Sequence, residues 1–324
     1  MIELPPRLDP AGLPDVLAGR RAMITGRVAD VAAVPGLAAL PVADDLVNLP
    51  QGIDLLVVVG GGRRMDAAKA WRGLHRPTCD LLALPTRFGS GAEANGIAVL
   101  DDRGAKTIHI GAGFRPTYRS YWPPCLDTLS DDQIAWSIGD ALSHAVEGVL
   151  SPLASPLLRT DLADVLIAML RLGPSRESSW FELSALASAG QAQASVGLVH
   201  GLAHVLEAPI RERLSHDPGH PGHPGHLGHV GHARLCAACL APVLRFNLAR
   251  SGKAAAHFDA AGIDVDALLS LADALSGPAR DLPLDWSQTI ETHWPQILRD
   301  PCTRTNVATV RPGTLPELLA EFAR

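Results

Sequence analysis

Asp140 and His144, in the segment GDALSHAVEG, stand four residues apart, so on a helix their side chains lie one above the other on one face. His200 and His204 repeat that spacing in GLVHGLAHVLE, and His232 opens HARLCAACL. One carboxylate with several imidazoles suits Fe2+ or Zn2+ and leaves a position for a substrate oxygen. A single Asp-x-x-x-His pair also occurs as an ordinary surface pair or a satisfied buried pair. Repetition of the spacing on separate segments is what points to a shared ion.

A second kind of chemistry is carried by glycines. Gly60, Gly61 and Gly62 follow the apolar run IDLLVVV and precede RRMDAAKAWRG, which is rich in helix formers. A strand that turns on glycines into a helix places backbone N–H groups and the positive end of the helix dipole where a pyrophosphate can dock. Such glycines also serve any tight strand-to-helix turn. The segment PTRFGSGAE, residues 85–93, is a second glycine-punctuated turn after an apolar strand, and two such turns at adjacent strand ends would converge on one crevice.

These groups need elements to hold them. From about residue 20 to 112, short β-rich runs (AMIT, LLVVV, LLALP, GIAVL, KTIHI) alternate with glycine-rich and small-residue stretches, an α/β pattern. The nearly continuous apolar run before Gly60 is expected of a strand covered on both faces in a parallel sheet. After YWPPCLDTLS the β-rich runs stop and helical patterns continue to the C-terminus, which places a boundary near residue 126. The expected architecture is an α/β nucleotide-binding domain (parallel sheet, Rossmann-like) over 1–125 and an all-α metal-binding domain over 126–324. Ser130 with Asp131, Asp132 and Gln133 makes a helix start ahead of the first metal pair. Further helices are expected around 156–173, 181–208, 232–248, 264–276 and 315–323. Residues 216–232, HDPGHPGHPGHLGHVGH, are too rich in Pro and Gly for a helix or regular strand and are expected to form an exposed loop.

In order along the chain, GGGRRMDAAK, PTRFGSGAE, GDALSHAVEG and GLVHGLAHVLE resemble the motifs of iron-containing (group III) alcohol dehydrogenases, and the tail DPCTRTN resembles that family's ending. The resemblance implies metal-dependent, NAD- or NADP-linked interconversion of an alcohol and a carbonyl. By motif position Asp140, His144 and His200 look like metal ligands, and His204 looks like a cleft histidine near the nicotinamide that could relay a proton. Counting back from RFN at 245–247 makes His232 the remaining ligand, with His216 and His229 as rivals because the histidine repeat lengthens this stretch. The expected cofactor-binding set is Gly26, Arg27, Gly60, Gly61, Gly62, Asp66, Lys69, Thr86, Ser90 and Lys106. Arg63 and Ala92 replace the family's usual serines, and the stretch from Gly26 to Gly60 is shorter than usual. Where NAD-preferring relatives carry an aspartate after the first strand, Gly26 and Arg27 stand here, and a guanidinium favours a 2′-phosphate.

Composition narrows the partners. With 47% hydrophobic and 19% charged residues and a formal charge of −6, the chain has an ordinary globular make-up and no overall basic field for nucleic acid. The N-terminal segment lacks the features of a secretory signal, and no stretch is long and apolar enough for a membrane span, so a cytoplasmic location is expected. Five scattered cysteines fit reduced thiols, and Cys236 and Cys239 read as buried small hydrophobes in an apolar helix. The resemblance also implies a homo-oligomer acting on a small-molecule or peptide alcohol. Alternatives are oxidative decarboxylation of a β-hydroxy acid, for example a peptide's C-terminal threonine; a dehydroquinate-synthase type of reaction; or a non-catalytic metal-binding or interaction protein whose working part is the histidine-rich loop.

Overall fold

The computed structural model describes the chain apart from residues 44, 47–48, 103–104 and 216–230 and the side chains of residues 101–102, 105–106 and 215. It divides into two compact units, one of residues 3–130 and 176–192, the other of residues 1–2, 131–175 and 193–324.

The first unit runs β1 (Arg7–Leu8), α1 (Leu13–Leu17), β2 (Ala22–Thr25), α2 (Val28–Ala33), β3 (Leu55–Gly60), α3 (Gly62–His75), β4 (Asp80–Pro85), β5 (Ile97–Asp102), β6 (Ala105–Ile110) and β7 (Tyr118–Ser120). Five strands form a parallel sheet in the order β1-β7-β4-β3-β2. Every residue of β3 is buried, and strand alternation splits them between two cores. Leu55, Val57 and Val59 pack with Ile24, Leu82 and Leu84, while Leu56 and Val58 pack with Met65, Ala68 and Trp71 of α3. That double coverage is why the run carries no polar alternation. GIAVL and KTIHI form strands too, but as a separate antiparallel pair, β5 with β6, outside the parallel sheet.

The helical elements are α4 (Asp131–Leu150), α5 (Pro156–Leu172), α6 (Ser179–Ala194), α7 (Leu198–Ser215), α8 (His232–Arg250), α9 (Gly252–Ala260), α10 (Val265–Arg280), α11 (Trp286–Ile297), α12 (Pro301–Arg304) and α13 (Leu315–Phe322). The single helix expected over 181–208 is two. Ser195 adopts φ 64, a left-handed conformation that ends α6, and α7 restarts three residues later. Ser195 Oγ lies 3.0 Å from Thr305 Oγ1, which also donates to Val196 O at 2.6 Å, so a side-chain pair holds the break. In the second unit a core of Leu198, Leu202, Leu206, Leu235, Cys239, Phe246, Ile290 and Leu318 joins α7, α8, α11 and α13. Among the described residues no helix is long and apolar enough to cross a membrane. All five cysteines are free thiols.

Candidate functional sites

The metal candidates converge within the second unit. Asp140 Oδ1 lies 3.9 Å from His200 Nε2 and 4.0 Å from His144 Nδ1, too far for hydrogen bonds but suited to donors around a common ion. The His144 and His200 rings are 4.5 Å apart, and the His232 ring is 5.4 Å from His200 and 5.3 Å from His204. Donor atoms of Asp140, His200, His232 and Cys236 all lie within 4.8 Å of one another. The buried His200 Nε2 has no hydrogen-bond partner among the described residues. A cation would satisfy that nitrogen, and a carboxylate with imidazoles is the donor set for it. His216 and His229, the rivals of His232, lie outside the described residues.

Backbone packing makes this convergence possible. A Cβ on Gly139 would come within 2.5 Å of Ala237 Cβ and 2.8 Å of its Cα, so only glycine lets α4 approach α8 and bring Asp140 beside Cys236. Glu147, one helical face below Asp140 and His144, accepts from Val199 N at 2.6 Å and pairs with His200 Nδ1 at 2.7 Å, which turns Nε2 toward Asp140. Burial pulls His200 toward the neutral form, but the bond to Glu147 and the charges of Glu147, Asp140 and Asp300 outweigh it, and its pKa is raised. Gly197 is hemmed in by Asn306 Oδ1 and Glu147 Oε1, 2.8 and 2.9 Å from where a Cβ would stand. Asn306, in the tail motif, accepts from Leu198 N at 3.2 Å and exchanges side-chain bonds with Asn247 at the end of RFN. Two sequence motifs thus clamp α7 to α8.

A second donor group adjoins the first through His204. Its Nδ1 is 3.6 Å from Asp300 Oδ2 and 3.8 Å from Cys302 Sγ. Asp300 also caps α12 by accepting from Cys302 N at 2.8 Å. Burial raises the Asp300 carboxyl, but the His204 bond and charge prevail and hold its pKa below the ordinary range.

The glycine turns belong to the first unit. No side chain caps the start of α3 at Gly61. A Cβ on Gly62 would fall 2.9 Å from Ser90 Oγ, so the two glycine turns approach each other closely, and Thr86 N donates to Gly60 O at 3.1 Å. The Arg64 side chain crosses Gly60 and its Nη1 reaches Thr25 Oγ1 at 3.4 Å. Gly91, at φ +55, would clash with Ser188 if it carried a Cβ. Ser184 and Ser188 of α6 hold this second turn through Gly89 N (2.9 Å) and Ser90 O (2.9 Å). Backbone close approach without side chains is the geometry a pyrophosphate uses.

No family model matches the chain. A 1-propanol dehydrogenase from Citrobacter freundii is 28% identical over 296 residues, covering 83% of this chain and 78% of that protein. The chain spans about half the length, 45–48%, of the other curated relatives it matches. An iron-containing alcohol dehydrogenase from Thermococcus thioreducens superposes with a TM-score of 0.76 at 18% identity, over 100% of both chains. A sulfoacetaldehyde reductase from Bifidobacterium kashiwanohense, solved in complex with NAD+, gives 0.73 at 18% identity over 100% of this chain and 98% of that one. The chain thus has the fold of iron-containing alcohol dehydrogenases and is similar in sequence to a 1-propanol dehydrogenase.

The aspartate and lysine of GGGRRMDAAK, Asp66 and Lys69, face inward. The fully buried Lys69 ammonium donates to Asp66 (3.1 Å), Ala92 O (2.9 Å), Asn95 Oδ1 (3.1 Å) and Ile97 O, tying α3 to the second glycine turn. Burial lowers the Lys69 pKa and raises that of Asp66, each against the pull of the other's charge. Gly26 leads from β2 into Arg27, the N-cap of α2, which is 72% exposed and pairs with Asp30 at 2.8 and 3.0 Å. The side chain of Lys106 lies outside the described residues. Glu147, Asp300, Cys236 and Cys302 did not figure among the site residues read from sequence. Glu147 and Cys236 had a signal, since each continues the helical face of a metal candidate, at Asp140 + 7 and His232 + 4.

Proposed function

We propose that the chain is a metal-dependent, NAD(P)-linked oxidoreductase that interconverts a small alcohol and its carbonyl, using the carboxylate and imidazoles around His200. The observation that carries this reading is the convergence of Asp140, His144, His200 and His232 from three helices, with His200 Nε2 aimed at Asp140 and held there by Glu147. An ion of Fe2+ or Zn2+, when bound, supplies Lewis-acid polarisation of a substrate oxygen. The dinucleotide supplies the hydride acceptor.

The residues of the chain do the rest. Asp140, His144, His200 and His232 hold the cation. His204, braced by Asp300, carries the hydroxyl proton away during oxidation and returns it during reduction. Gly60, Gly61, Gly62, Thr86 and Ser90 receive the pyrophosphate, while Gly26 and Arg27 flank the adenosine end, where the Arg27 guanidinium favours a 2′-phosphate and hence NADP. Functional labour divides near residue 126, dinucleotide groups before it and metal groups after. Short-chain alcohols of the 1-propanol kind are the substrate class, in line with the relative spanned most fully, and a homo-oligomer is the expected assembly.

Steady-state assays with a series of primary alcohols, Zn2+- or Fe2+-loaded protein and either NAD+ or NADP+ test the reading. Reduced cofactor should form only in metal-loaded protein, with a lower KM for NADP+. Undiminished turnover in metal-stripped protein, or in Asp140→Ala, would refute it.

A further inference from the structure

Each of the three helices that bring donors to the metal site carries an i, i+4 pair. Two of them, Asp140/His144 on α4 and His200/His204 on α7, hold carboxylate and imidazole only. The third, His232/Cys236 on α8, ends in a thiol. Cys236 is fully buried, and its Sγ stands 3.4 Å from His232 Nε2. The donors that lie mutually within 4.8 Å are those of Asp140, His200, His232 and Cys236. The close approach of Gly139 to Ala237 sets the carboxylate of Asp140 against this sulfur.

We propose that Cys236 Sγ is a further ligand of the cation, so that a thiolate joins the carboxylate and imidazoles that hold the metal. The proposal rests on the metal reading above and adds a sulfur to it. Tetrahedral bonds of roughly 2.0–2.3 Å separate neighbouring donors by about 3.4–3.8 Å. The 3.4 Å between Cys236 Sγ and His232 Nε2 falls within that spacing, and the 3.9 Å between Asp140 Oδ1 and His200 Nε2 lies just beyond it, so a small inward shift of the carboxylate and imidazole completes the set. As the sulfur–metal bond forms, the Cys236 S–H bond breaks and its proton leaves to solvent, with no change of oxidation state. A thiolate among nitrogen and oxygen donors biases the site toward Zn2+ and away from Fe2+, since sulfur ligands select the softer ion.

Cobalt substitution tests this directly. Metal-stripped full-length protein, titrated with Co2+, should develop visible ligand-field bands together with a near-ultraviolet sulfur-to-cobalt charge-transfer band at one equivalent. Cys236→Ser should lose the near-ultraviolet band, and its preference for Zn2+ over Fe2+, measured by metal competition and elemental analysis, should fall at least several-fold. Cys302→Ser should keep the band. Stoichiometric Co2+ binding to the unaltered chain with visible bands but no charge-transfer band would overturn the sulfur ligand while leaving the metal reading intact. A band that survives Cys236→Ser and vanishes in Cys302→Ser would overturn it as well, moving the sulfur to the group around His204. Failure of the unaltered chain to bind Co2+ or Zn2+ at all would break both the inference and the reading beneath it. Because the unaltered chain's spectrum decides the matter, poor folding of a variant does not obscure the answer.

Discussion

The helical unit and the α/β unit build their sites by opposite means. In the first, chemistry is delivered by side chains on rigid helices, and glycine serves only to let those helices touch, as at Gly139 and Gly197. In the second, the candidate site is bare backbone at the ends of β3 and β4, and side chains such as Lys69, Ser184 and Ser188 hold the turns in place. The difference sets what a mutation does. A change at the helical site removes a polar group outright, whereas a change at the glycine turns adds bulk where two backbone turns approach closely.

Replacement of a donor should have the largest effect. Asp140→Ala or His200→Ala should reduce bound metal to background by elemental analysis and abolish turnover, with the melting curve still cooperative. Glu147→Gln comes next, because it leaves the donors in place but weakens the bond that aims His200; metal affinity should fall about 10- to 100-fold, measured by competition with a chelating dye. If metal binding were unchanged, the helical site would not depend on that orientation. In the other unit, Gly62→Ala forces a methyl toward Ser90 Oγ, and since overpacking costs about 1–3 kcal/mol, the KM for the dinucleotide should rise roughly tenfold or more while metal content stays constant. Loss of metal in Gly62→Ala would erase the contrast between the two sites. The smallest effect concerns Glu93, whose burial raises its pKa from 4.5 to about 7. Between those values the folded chain keeps a proton that the unfolded chain has released, so stability should fall as pH rises from about 4.5 to 7 and level off above. Glu93→Gln should flatten that slope in thermal melts across the same window.

The same contrast explains what was legible in the sequence. Strands β2, β3 and β4 announce themselves because burial on both faces demands unbroken apolar runs, and α4, α5 and α8 start or end close to where capping and periodicity place them. The donor pairs were visible because helical spacing of four converts directly into a shared face. The break at Ser195 was not, because nothing in ASAGQAQASVG forbids a continuous helix locally; the left-handed turn is held by Thr305, far along the chain. Short β1 and β7 were likewise silent, being two and three residues that only the rest of the sheet makes into strands. Cys236 was read as one more small apolar residue, since its partners His200 and Asp140 meet it only after three helices have packed. Asp300 and Cys302 carry no periodic signal at all, and they reach His204 through a four-residue helix.

Residues 176–192 fold with the α/β unit although 131–175 do not. Phe88 stacks on Trp180 at 5.6 Å, Tyr121 stacks on Phe181 at 5.0 Å, and Arg119 forms a two-pronged pair with Glu182 at 2.6 and 2.8 Å. The α/β unit is therefore not one contiguous stretch of sequence. A recombination event that exchanged everything before residue 130 would leave behind the aromatic and acidic anchors of the incoming piece, and only exchanges that also carry the distant segment would keep them. Swapping cofactor preference between relatives by trading N-terminal halves should thus demand two crossovers more than a linear map of the chain implies.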